Sequence, residues 1–225
     1  MPERQVSAAP ELRDKAARVA MRLRVAYGID RPEREDDDPI GSLVGTILSQ
    51  HTNDQNAHRA YELLRARYPT WRDILAAPDA ELADTIRVGG LANLKAARIK
   101  QCLAAIPDLD LSHLRDASIE EARSALRELP GVGPKTAACV MLFNLGLPAI
   151  PVDTHVYRAS RRLGLIGPRV SANAAHAVLE EMVAPGDAYA FHVGLVRHGR
   201  HVCRAQRPLC EDCVLVDLCD YYRGP

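Results

Sequence analysis

Aromatic side chains are scarce: Phe, Tyr and Trp together make up 4% of the 225 residues. Alanine, leucine and arginine are plentiful instead. Sheets are packed best by aromatic and β-branched side chains, so this balance favours packed helices over a sheet sandwich. Net charge is lacking too. Lys plus Arg and Asp plus Glu both number 29, so composition alone argues neither for nucleic acid nor for a membrane. No stretch approaches the ~18 uninterrupted apolar residues that a membrane span needs. The opening MPERQVSAAPELRDKAARVA has no apolar core of the kind a secretory signal carries. Strand alternation and a fixed-period repeat are both missing. These absences leave an intracellular all-α protein, long enough for one large domain or two small ones.

Helical spacing is what fills the chain. Residues 10–27 place Leu12, Ala16, Val19, Leu23 and Ala26 on one stripe, and Gly28 ends that helix. The mostly acidic RPEREDDDP follows as the first boundary. Further helices are expected near 39–50, 54–67, 79–87, 92–105 and 118–128, from Pro134 to about Leu145, from Asp153 onward, and over 171–183 and 187–199. Charge is sorted locally although it sums to zero. Arg87, Lys95, Arg98 and Lys100 lie in a stretch without acids. Lys135, Arg158, Arg161, Arg162 and Arg169 share theirs with Asp153 alone, and Arg197, Arg200, Arg204 and Arg207 adjoin the terminal cysteines. Three such blocks beside unusual motifs point to a shared anionic partner.

The most unusual motif is LPGVGPKTAAC over 129–139. Gly131 and Gly133 let backbone approach another molecule closely, with Val132 between them. Pro134 suits the first helical position, where an N–H would be unpaired anyway. The free amides of such a turn, with the positive end of a helix dipole behind them, suit a phosphate. The Walker spacing is absent, so this is no nucleotide P-loop. On shape alone, a plain helix–turn–helix corner is an equal reading. The second motif is C-x6-C-x2-C-x5-C, formed by Cys203, Cys210, Cys213 and Cys219. Four thiolates can hold zinc or an iron–sulfur cluster, and these gaps lack the paired short knuckles of common zinc modules. Cys102 and Cys139, isolated in helical patterns, read as ordinary buried thiols.

LPGVGPKTA, followed eighteen residues after its lysine by the aspartate of VDTHVYR, resembles the helix–hairpin–helix DNA glycosylases. With the terminal cysteine array it resembles their endonuclease III branch, from about Leu12 to Cys219. The resemblance implies an all-α, two-lobed fold. One lobe would be a helical barrel over 32–147, with the helix–hairpin–helix at 129–145. The other would join 1–31 to 148–225 and end in a cluster loop over 203–219. Lys135 and Asp153 would face each other across the cleft between the lobes.

The resemblance also implies the chemistry. Lys135 would attack the sugar C1′ as a free amine and form a Schiff base, after which a C2′ proton and the 3′ phosphate leave. Asp153 would stabilise positive charge on the sugar and help move the proton, while also capping the helix that it opens. The four cysteines would hold a 4Fe-4S cluster, organising the loop so that Arg204 and Arg207 meet phosphates. LSQHTND (48–54) and GLANLKA (90–96) resemble the loops that fill the gap left by a flipped base, with His51 as plug and Leu91 as wedge. Glutamine or asparagine is commoner than histidine at that plug position, so His51 is a departure.

The implied activity is removal of oxidised or saturated pyrimidines from damaged double-stranded DNA with strand scission, by a monomer in a bacterial cytoplasm or nucleoid. The alternatives are a mismatch-specific thymine/uracil glycosylase, an adenine glycosylase, and a non-catalytic metal-stabilised DNA-binding module. The adenine branch needs a glutamate where Thr46 stands and usually carries a further C-terminal domain, whereas this chain stops at Pro225.

Overall fold

The computed structural model describes residues 9–30 and 38–224. Most of the acidic boundary RPEREDDDP and the first eight residues, where the expectation of no secretory signal begins, lie outside the described residues. Twelve α-helices occur among the described residues, with no strand: α1 (Pro10–Tyr27), α2 (Pro39–Ser49), α3 (Asp54–Arg67), α4 (Trp71–Ala76), α5 (Asp79–Thr85), α6 (Ala92–Ala104), α7 (Ile119–Glu128), α8 (Pro134–Val140), α9 (Thr154–Arg162), α10 (Ala172–Met182), α11 (Ala188–His201) and α12 (Asp220–Arg223). They divide into two compact units, one of residues 34–147 and one joining the residues before 34 to those after 147.

In the 34–147 unit α2 is central. Ile40, Leu43, Val44, Ile47 and Leu48 are all buried, which spreads apolar surface around much of that helix. It packs against α3, α6 and α8. Asp38 starts it, accepting a hydrogen bond from Gly41 N at 2.9 Å. α6 presents a stripe of Lys95, Ala96, Ile99, Cys102 and Leu103, all buried. α4 has no counterpart in the sequence reading because six residues are too few to show a period. A reciprocal cap starts it: Thr70 Oγ1 accepts from Asp73 N, and the Asp73 carboxylate accepts from Thr70 N. Ser118 and Glu121 open α7 in the same way.

In the other unit α11 is the hub, with α1 and α9 against it. Two glycines permit this. A Cβ on Gly194 would lie 2.6 Å from Leu23 Cβ, and one on Gly199 would lie 2.7 Å from His155 Cβ. Both neighbouring helices therefore approach α11 at backbone contact. The α1 stripe shifts slightly from its expected line. Ala16, Val19, Ala20 and Leu23 are buried, whereas Ala26 is exposed. Tyr27, nearer the centre of that stripe at about 3.6 residues per turn, takes the place assigned to Ala26.

Candidate functional site

The hairpin of the 34–147 unit joins α7 to α8 through Leu129–Gly133. Val132 is buried and its N–H donates to Leu129 O at 3.1 Å, closing the turn. Gly131 sits at φ +81, a backbone region that glycine occupies without strain. Pro134 takes the first helical position, so Lys135 projects from the first turn of α8. Lys135 is exposed and makes no hydrogen bond or ion pair among the described residues. The helix expected to run to Leu145 is α-helical only to Val140 and continues as a π turn over Met141–Leu145, which Gly146 ends.

Two more loops of this unit carry sequence candidates. His51 follows α2, exposed and at φ 52. Leu91 precedes α6, 53% exposed and at φ 47. Leu91 is therefore no core leucine. Lys95 departs from the expected basic face. It is 1% exposed, its Nζ donates to Leu48 O at 2.7 Å and Gly89 O at 2.8 Å, and burial pushes its ammonium down from the usual lysine range. Its neighbours in that block also have partners within the unit. Lys100 pairs with Asp79 and Arg87 with Asp84, while Arg98 Nη1 donates to Gln50 Oε1 at 2.9 Å.

In the other unit, Asp153 caps α9. Its Oδ1 accepts from His155 N at 2.9 Å and Val156 N at 2.8 Å. Both bonds fall on one oxygen, so Oδ2 keeps its acceptor capacity. The segment leading to it is held by side chains that no sequence motif flagged. Ile150 N donates to Glu180 at 3.0 Å, while the Nδ1 atoms of buried His176 and His192 lie 2.9 and 2.8 Å from the carbonyls of Ile150 and Pro151. A carbonyl can only accept, so both rings carry their proton on Nδ1.

Cys203, Cys210, Cys213 and Cys219 line one pocket, together with Leu163, Leu209 and Leu215. Among the described residues no three His, Cys, Asp or Glu side chains converge on a point as a single ion requires. The sulfurs instead sit around the pocket wall, and those of Cys203, Cys213 and Cys219 meet polar groups there. Arg162 Nη1 donates to Cys203 Sγ at 3.3 Å, Leu215 N to Cys213 Sγ at 3.4 Å, and His198 Nε2 lies 3.4 Å from Cys213 Sγ. Burial, and then the neighbouring thiols, push Cys210 and Cys213 above the ordinary thiol range. Four thiolates here therefore need a multivalent cation among them, and the donor set fits a polynuclear metal–sulfur group. His198, whose Nδ1 meets Tyr27 Oη at 3.0 Å, is pushed down to about 4 by burial.

The remaining basic residues are partly structural. Arg158 is spent on the carbonyls of Cys203 and Gly199, and Arg162 on those of Arg204 and Ala205. Arg197 donates to Tyr27 O. Arg204 and Arg207 both stay exposed, although Arg204 Nε donates to His201 O. The single clue to Lys95 in the sequence was its place on the apolar stripe of α6. Nothing comparable marked His176, His192 or His198.

The pattern of an HhH-GPD superfamily base excision DNA repair protein matches residues 44–185. An endonuclease III of Thermotoga maritima is 35% identical over 190 residues, which cover 84% of this chain and 86% of that protein. Among solved structures, a trapped covalent intermediate of endonuclease III with DNA superposes with a TM-score of 0.79 at 29% identity, over 94% of this chain and 97% of that one. A thermostable thymine-DNA glycosylase superposes with a TM-score of 0.80 at 28% identity, over 93% and 97%.

Proposed function

This chain belongs to the HhH-GPD superfamily of base excision DNA repair proteins, and on that premise we propose that it removes oxidised or saturated pyrimidines from damaged double-stranded DNA and then cleaves the strand. It is a DNA glycosylase of the endonuclease III type. The observation that carries the finer reading is the exposed Lys135 on the first turn of α8, just past Gly131-Val132-Gly133. A free amine there attacks C1′ of the damaged nucleotide while the bond to the base breaks and its electron pair leaves with the base. The C1′–O4′ bond then opens to give an iminium between Lys135 and the sugar. Loss of a C2′ proton expels the 3′ phosphate, and water hydrolyses the imine to free the lysine. Water in place of the amine would stop at base removal.

Asp153 supplies the complementary charge. Its Oδ1 is occupied by two backbone amides, so the carboxylate is held in place while Oδ2 can stabilise positive charge on the sugar and take up a proton. Cys203, Cys210, Cys213 and Cys219 would hold a 4Fe-4S cluster. When bound, the cluster cross-links the terminal segment rather than taking part in the reaction. Arg204 and Arg207 on that segment contact phosphates, as do the amides around Gly131, Val132 and Gly133. His51 and Leu91 fill the space that the extruded base vacates. The enzyme acts as a monomer in the cytoplasm or nucleoid.

Borohydride reduction of the enzyme mixed with DNA bearing a ring-saturated thymine tests the reading. A covalent adduct is expected from the wild type and none from Lys135→Gln, which should keep binding damaged DNA. Undiminished trapping in the variant would overturn the assignment. The equal structural likeness of a thymine-DNA glycosylase supports a second reading, excision of thymine from a mismatch with guanine. Parallel single-turnover assays on the two substrates decide between them.

A further inference from the structure

Lys95 and Arg98 lie one turn apart on α6, and each is fastened to an oxygen of another element. The Lys95 ammonium is buried between two carbonyls, and each belongs to the end of a different element. Leu48 O is among the last four carbonyls of α2, which have no partner within the helix. The last turn of α2 contains no basic residue, so Lys95 supplies from another helix the positive charge that a helix C-terminus favours. Gly89 O is the last carbonyl of the short helical turn Arg87–Gly89 that leads to Leu91. A side chain at Gly89 would press to 3.1 Å of Ala60 Cβ and 4.0 Å of Nζ, so the turn must come this close. Arg98 adds a second fastening, from Nη1 to Gln50 Oε1, while its stem packs against Gly131 of the hairpin at 3.6 Å from the Cβ position.

These fastenings stand directly behind two unusual residues. His51 and Leu91 are both exposed non-glycine residues in left-handed backbone, a conformation that persists only where the surroundings over-determine it. His51 lies three residues past Leu48 and one past Gln50. Leu91 lies two residues past Gly89. We propose that Lys95 and Arg98 are positioning residues that lock the His51 and Leu91 tips into one unit, so that both enter the base stack together. The proposal rests on the reading of these loops as gap-fillers. It goes beyond that reading in assigning the coupling to two cations of α6 through their bonds to Leu48, Gly89 and Gln50.

Lys95→Met keeps the length and apolar stem of the side chain but removes the charge. Single-turnover rates are compared on two duplexes, one with a ring-saturated thymine paired with adenine and one with a preformed abasic site, where there is less to unstack. A fluorescent purine analogue beside the lesion reports unstacking directly. Lys95→Met is expected to slow excision from the paired lesion by roughly tenfold or more and to weaken the unstacking signal. Abasic-site scission should fall by a clearly smaller factor. Arg98→Ala, at a half-buried site, should shift the same ratio in the same direction and decides the matter if Lys95→Met does not fold. Equal losses on both duplexes, or a wild-type unstacking signal in both variants, would overturn the proposal. A wild-type enzyme that unstacks the lesion yet excises no pyrimidine would instead overturn the functional reading and leave the loop coupling standing.

Discussion

A carboxylate that caps a helix and one that helps break a glycosidic bond face different demands, and at Asp153 the two can be separated. Asparagine keeps an oxygen that can accept from His155 N and Val156 N, and it ranks with aspartate as an N-cap. Asp153→Asn should therefore unfold within about 0.5 kcal/mol of the wild type in urea, while excision slows about a hundredfold or more for want of the charge. Asp153→Ala should lose both, with about 1 kcal/mol of stability going with the cap. Parallel loss of stability and rate in Asp153→Asn would leave Asp153 a cap alone. Arg204 and Arg207 allow a second test at this scale. If each meets one phosphate, replacing it with alanine should lower the slope of log affinity against log salt by about 0.9 on any duplex sequence. Unchanged slopes would place both side chains away from DNA.

Among the elements, the short helices of the 34–147 unit depend on their first turns. α4 and α7 are opened by Thr70 with Asp73 and by Ser118 with Glu121. The hydrogen bonds from Thr70 and Ser118 hold the Asp73 and Glu121 carboxyls below the ordinary carboxylate range. A carboxyl lowered on folding adds stability above its unfolded value, 3.8 for Asp73 and 4.5 for Glu121. That stability is lost as the pH falls through the lowered folded value. Melting temperature should therefore hold near neutral pH and drop in acid below these values. Ser118→Ala should cost about 1 kcal/mol at neutral pH and flatten part of the acid drop. An acid profile identical to wild type would show that the α7 box is not formed in solution. α7 leads directly into the Gly131–Gly133 turn, so a loosened α7 should also weaken DNA binding.

On the scale of the whole molecule, the first helix and the last segment hold each other. Arg22 pairs with Asp217 and donates to Val214 O, and Lys15 Nζ meets Asp220 Oδ1 at 2.7 Å. Arg22, with Arg18 beside it, holds the Asp217 carboxyl down to about 2. These bonds bracket the thiol pocket from the α1 side. Protein purified without oxygen should contain about four irons and four sulfides per chain, and stoichiometric zinc without iron would overturn the cluster assignment. Cys213→Ser should lower folded yield more than it lowers rate per folded molecule, because ligation is coupled to folding. Arg22→Ala should leave the iron content intact but hasten its loss to a chelator. Loss at the wild-type rate would make the α1 bracket irrelevant to the cluster.

The sequence by itself determined the helical class, because apolar spacing and end signals act within a few residues. Most helices stand within a residue or two of where Pro, Gly, Asp and Ser set their ends. It also determined the Gly131–Gly133 turn, the cap at Asp153 and the grouping of four thiols, since each is a local pattern. Tertiary structure alone decided which cations are free. Lys95, Arg98 and Lys100 looked like one exposed basic face, yet their partners Leu48, Gly89, Gln50 and Asp79 come from other elements. A salt bridge or a capped carbonyl across that separation leaves no trace in nearby residues. The same holds for His176, His192 and His198, whose roles follow from carbonyls and a thiol brought to them only by folding. α4 escaped for the opposite reason: it is local, but shorter than the two turns over which a helical period can be read.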